Sequence, residues 1–132
     1  VIVVDTSILV TFFVGGNHSS PKVRKALGAE IHWAAPEHQP AEFLNVLRGL
    51  VLGRKISQED AASVLERCSV AHVEKLPYGS AVVARIWELR HDVSAYDAAY
   101  VAVAEAHDLP LVTSDARLAG APGLQCELRQ LF

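Results

Sequence analysis

Apolar residues fall along the chain in short β-branched runs separated by stretches with three- and four-residue spacing, the pattern of strands alternating with helices. The opening VIVV run predicts a strand, and TSILVTFF, just after Asp5, carries apolar residues close to helical spacing, so strand passes straight into helix. Ser20 and Pro21 supply N-cap and first-turn signals for a helix over KVRKALGA, with Gly28 as its stop. IHWAA fits a second strand ended by Pro36. Pro40 opens the AEFLNVLRGLVL helix, where Phe43, Leu44, Leu47, Leu50 and Val51 predict a core-facing stripe.

Beyond Gly53, Ser57-Gln-Glu-Asp60 reads as a capping box ahead of AASVLERC, and VAHVEKL supplies a short strand closed by Pro77. A helix from about Ser80 to Arg90 turns Val82, Val83, Ile86 and Leu89 inward, and Ser94-Ala-Tyr-Asp97 caps an alanine-rich, closely packing helix that runs to about His107. LPLVTSD is a strand ending in an acidic turn, ARLAG a helical turn, and LQCELRQLF a final strand or tail. Strands separated by helices throughout predict an α/β fold, a three-layer α/β/α sandwich around a central parallel sheet, as one domain across residues 1–132. Ligands of such sheets bind outside the carboxyl ends of the strands, so the residues after VIVV and after LVTS share one rim.

The 51% apolar and 20% charged content supports a packed interior and excludes a disordered tail. The apolar runs fall far short of the roughly 20 residues that cross a bilayer. With no basic stretch ahead of the first apolar segment, no secretory signal is expected. Cys68 and Cys126 belong to no C-x-x-C pair and read as buried thiols of a reducing cytoplasm. The histidines form no H-E-x-x-H, and neither G-x-x-x-x-G-K-[ST] nor G-x-G-x-x-G occurs, which disfavours a zinc site and a nucleotide cradle. A net charge of −3 sits awkwardly with a polyanionic partner, but setting four acids aside as a metal site leaves +1 on the remainder.

Those acids are Asp5, Glu42, Asp97 and Asp115. Each has an ordinary explanation: Asp5 and Asp115 as caps, Glu42 as a first-turn charge on a helix dipole, Asp97 as part of a capping box. Jointly they follow strands or begin helices that a parallel fold can aim at the same rim. Gathered carboxylates repel one another and are tolerable around bound cations, and oxygen-only ligands suit magnesium or manganese. That chemistry points to phosphodiester hydrolysis without a side-chain nucleophile. Thr6, Ser7, Thr113 and Ser114 add hydroxyls beside the acids, and Asn45 lies one turn after Glu42. For the phosphate backbone, Arg48 and Arg117 stand out among Lys22, Arg24, Lys25, Arg54 and Lys55 because they follow two of the acids closely.

Three segments, VIVVDTSILV, APEHQPAEFLNVLRGL and SAYDAAYVAVAEAHDLPLVTSDARLA, resemble the PIN-domain family, and within it the VapC toxin branch. The resemblance implies that Asp5, Glu42, Asp97 and Asp115 form the metal site of a magnesium- or manganese-dependent endoribonuclease, holding one or two ions. It also implies a homodimer silenced by a VapB-type antitoxin whose C-terminal segment occupies the active-site groove. His38, Gln39 and Pro40 depart from the aliphatic residues that many relatives carry there. The rivals fit less well. A phosphoaspartate receiver or phosphatase-like domain would also place an Asp after its first strand, but Ser7 stands where a second Asp is expected, and a non-cutting module that binds RNA or a partner predicts the loss of an acid.

Overall fold

In this computed structural model, residues 1–15, 21–29 and 32–131 are described. Five short strands, β1 (Ile2–Val4), β2 (Trp33–Pro36), β3 (Val73–Leu76), β4 (Leu111–Thr113) and β5 (Leu128–Gln130), pair in parallel in the order β3-β2-β1-β4-β5. Parallel neighbours cannot be joined by a tight turn, and here the crossovers are helical. Among the described residues these helices are α1 (Thr6–Gly15), α2 (Pro21–Ala29), α3 (Gln39–Leu52), α4 (Gln58–Val70), α5 (Ser80–Glu88), α6 (Ala95–Ala106) and α7 (Ala116–Ala119).

Side chains alternate across a strand, so each strand feeds both layers. Ile2 and Val4 of β1 and Val112 of β4 join Ile8, Leu9, Phe13, Leu27, Phe43, Leu47 and Val64 on the α1–α4 face. Val3 and Leu111 join Val82, Leu89, Leu118 and the buried run of α6 on the other. Burial on both faces explains why the central strands read as unbroken apolar runs. The result is the three-layer sandwich expected from the pattern. Residues Ala98 to Ala104 of α6 are all buried, and its small side chains let the helix lie close against β1 and β2.

Several local expectations shift. Helix α3 begins at Gln39, with Pro40 inside its first turn, and α2 runs one residue past Gly28. Helix α4 absorbs Val70, so the strand in VAHVEKL shortens to Val73–Leu76. Ser57 accepts the Asp60 amide, as a cap should. Val83 and Leu44 point outward, 52% and 50% exposed, because the core-facing stripes follow Val82, Ile86, Leu89 and Phe43, Leu47, Val51, which lie about a quarter turn away. Ser20 and Ile31, assigned to a cap and a strand, lie outside the described residues. Among the described residues no helix is long and apolar enough to cross a membrane.

Ala102 is 2% exposed between α6 and the sheet. Ala102→Leu should destabilise by about 1–3 kcal/mol through overpacking, read as a lower urea midpoint at an unchanged denaturant slope.

Candidate active site

The strand order reverses between β1 and β4, and the crevice at such a switch point is where open parallel sheets bind ligands. Asp5 leaves β1 there, and Ser114 and Asp115 leave β4 beside it. Glu42 comes in from the first turn of α3 and Asp97 from the first turn of α6. All four acids line one cleft of about 450 Å³, together with Thr6, Ser7, Tyr100 and Ser114.

Asp5 is buried, and its carboxylate is held from three sides. Oδ1 accepts the Ser7 hydroxyl at 2.7 Å and the Ile8 amide at 3.0 Å, while Oδ2 accepts the Thr113 hydroxyl from the neighbouring strand. Asp5 therefore caps α1 and also faces the cleft. Asp115 likewise caps α7, accepting the Arg117 amide at 2.9 Å, and its own amide donates to Thr113 Oγ1 at 2.9 Å. The Ser114 amide donates to Ser7 Oγ at 3.2 Å, which ties the end of β4 to the start of α1 through the Ser7 side chain.

Glu42 is anchored through one oxygen. Oε1 accepts Thr6 Oγ1 at 2.7 Å and Tyr100 OH at 2.6 Å, and those two hydroxyls lie 2.9 Å from each other. His38 Nε2 approaches the same oxygen at 3.8 Å. Among the described residues, every hydrogen bond to Glu42's carboxylate falls on Oε1, so Oε2 remains for a ligand. Asp97 uses its amide to close the Ser94 cap at 3.2 Å, which leaves its carboxylate out of the capping bond.

Burial pushes the Asp5 carboxyl above its usual range, against the pull of the Thr113, Ser7 and Ile8 bonds, and the Asp97 charge adds to the rise. Asp97 is also raised, by burial first and then by repulsion from Asp115 and Glu42, with Arg117 working the other way. The acids thus sense one another's charge across the cleft. Among the described residues no three His, Cys, Asp or Glu side chains stand close enough to form a ready-made metal cage. The donor chemistry still fits a hard divalent ion, because the oxygens are carboxylates and their mutual repulsion is what a cation would relieve.

The remaining sequence candidates separate. Thr6, Ser7 and Ser114 line the cleft, while Thr113 is fully buried beneath it, bracing Asp5. Asn45 is exposed and does not line the cleft. Arg48 borders a different, apolar hollow between α3 and α4. The Arg117 side chain is 89% exposed, with Nη2 3.5 Å from Asp115 Oδ2. Sequence reasoning overlooked Tyr100, although its place three residues after Asp97 on one helix was a usable signal. It also gave no role to His38, which hydrogen bonds Tyr78 through Nδ1 at 2.5 Å.

In chelator, the sign of the Asp97 shift sets a stability prediction. A carboxyl whose folded pKa is raised favours the folded state at low pH, and that contribution is lost as pH rises through the raised value. Asp97→Asn should therefore raise the thermal midpoint of the metal-free protein at neutral pH by roughly 3–5 °C, the shift that about 1 kcal/mol produces at this size. The gain should shrink on acidification, as thermal melts across pH would show.

The PIN domain family model matches residues 2–124. Ribonuclease VapC1 of Mycobacterium tuberculosis is 39% identical over 127 residues, covering 96% of this chain and 95% of that protein. FitAcB from Neisseria gonorrhoeae superposes with a TM-score of 0.73 at 17% identity, over 98% of this chain and 96% of its own. VapBC2 from Rickettsia felis, solved bound to a DNA fragment from the VapBC2 promoter, gives 0.69 at 17% identity, over 99% and 98%. The two structural likenesses carry the fold, and the family match and the VapC1 likeness carry the kinship. With its parallel sheet and acid-lined switch point, the chain belongs to the PIN-domain family and, within it, to the VapC ribonucleases.

Proposed function

We propose that this protein is a VapC-type endoribonuclease toxin that hydrolyses RNA phosphodiester bonds with magnesium or manganese held by Asp5, Glu42, Asp97 and Asp115. The observation that carries the reading is the convergence of four acids, drawn from two strand ends and two helix starts, on one cleft. When bound, the ions would supply a metal-activated water and neutralise charge at the leaving oxygen. The chain's own part is to fix ligand oxygens. Thr113 and Ser7 hold Asp5, Thr6 and Tyr100 hold Glu42 by one oxygen, and α7 positions Asp115. Arg117, exposed at the rim, has the reach to meet substrate phosphate. The VapBC2 neighbour supports a VapB-type antitoxin as partner. A homodimer accords with the family resemblance.

Incubation of the purified protein with total RNA tests the assignment. Cleavage should require magnesium or manganese and stop with chelator. Asp5→Ala and Asp97→Ala, purified in parallel, should each fall below about a hundredth of the wild-type rate. Unchanged cleavage in chelator, or in both variants, would remove the metal site from the reaction. Tyr100→Phe keeps the ring and loses the bond to Glu42, so activity should need about 10–100-fold more metal, read by titrating rate against metal concentration.

A further inference from the structure

Beside the acids lies a group of four rings, of which the proposed hydrolytic site uses only the Tyr100 hydroxyl. His38 is wedged among Tyr78, Tyr96 and Tyr100, with ring centroids 5.8, 5.7 and 5.4 Å away. Its Nδ1 is fixed by the Tyr78 hydroxyl at 2.5 Å, and its side chain is only 18% exposed. The wedge is therefore held in place. Tyr96, tilted 54° against it, is 65% exposed and immediately precedes Asp97.

A single exposed tyrosine needs no explanation in general. This one is distinguished by a rigid backing ring and by its position: it immediately precedes Asp97, which lines the cleft, and His38 Nε2 behind it stands 3.8 Å from Glu42, another of the cleft's acids. A supported aromatic ring loses little conformational freedom when something stacks on it. Unpaired nucleobases stack on such rings, whatever their sequence, with a strength that an alanine or leucine replacement reveals.

We infer that Tyr96, backed by His38, is the stacking platform for one unpaired nucleobase next to the scissile phosphate. The inference rests on the ribonuclease reading above. Stacking on a neutral ring adds binding without adding positive charge, which suits a chain whose net charge is −3.

The test couples the ring to the base. Once the wild-type cut site is mapped on total RNA, a short RNA spanning it is made intact and with an abasic residue at each position flanking the cut. Tyr96→Leu should raise KM for the intact RNA about tenfold, and Tyr96→Trp should recover most of that loss. At one flanking position, removing the base should raise KM about tenfold for the wild type and less than twofold for Tyr96→Leu, because the stacking partner is already gone. Losses that multiply at every position, or a KM unmoved by Tyr96→Leu, would overturn the platform while leaving the ribonuclease intact. A wild-type protein that cuts no RNA would instead overturn the ribonuclease reading, and this inference with it.

Discussion

Parallel pairing of β1 with β4 is the constraint on which the cleft depends. Val3 is opposite Leu111 and Val4 opposite Val112, and the Asp5 amide extends the ladder to the Val112 carbonyl at 3.2 Å. That register delivers Asp5 and Asp115 to one rim. A slip of one residue would turn either Val4 or Val112, whichever strand moved, out of the α1–α4 core and carry Asp5 away from Thr113. Burial of the strand side chains on both faces therefore does more than stabilise the sheet, because it fixes where the acids stand. Thr113 closes the arrangement by donating to Asp5 through its side chain, accepting the Asp115 amide on the same oxygen, and accepting the Leu131 amide from β5's end at its carbonyl.

The same cleft works against stability. Repulsion from Asp115 and Glu42 at Asp97, and burial at Asp5, both disfavour ionised carboxyls. Nearly every hydrogen-bonding group around the site answers this with a donor: Ser7, Thr113 and Ile8 to Asp5, Thr6 and Tyr100 to Glu42, Arg117 to Asp115. These donors hold the acids without replacing a counter-charge. On the ribonuclease reading, carboxylates that are held in place but whose charge is unbalanced suit a bound cation in a way that an ordinary set of helix caps does not.

Much of this was legible in the residues. The β-branched runs and helical spacings set the strand and helix order, and the positions of Asp5 and Asp115 directly after strands placed them on the rim. The cap readings for these two acids were also correct, since one carboxylate can cap a helix and face a cleft at once. Side-chain direction was less legible. Arg48 follows Glu42 by six residues, which swings it toward α4, and Val83 sits a quarter turn from the stripe that α5 buries. Contacts between distant segments were hidden altogether. Nothing in local spacing shows that Tyr100 reaches Glu42, 58 positions away, or that Tyr78 and His38, 40 positions apart, share a hydrogen bond.

His38 shapes what surrounds Glu42. An aliphatic residue at an N-cap would only pack, whereas the imidazole gathers three tyrosine rings and stands close to Glu42 Oε1. It offers no side-chain cap to α3, so its place there is not explained by helix capping. What it does accomplish is to join α3, α6 and the segment leading into α5 through its contacts with Tyr78, Tyr96 and Tyr100. On the ribonuclease reading, a net-negative protein has few cations to spend on phosphate, and the exposed Arg117 is a cation beside the acids. Selectivity then falls to neutral contacts made by rigid side chains, since these keep their strength at salt concentrations that screen surface charge.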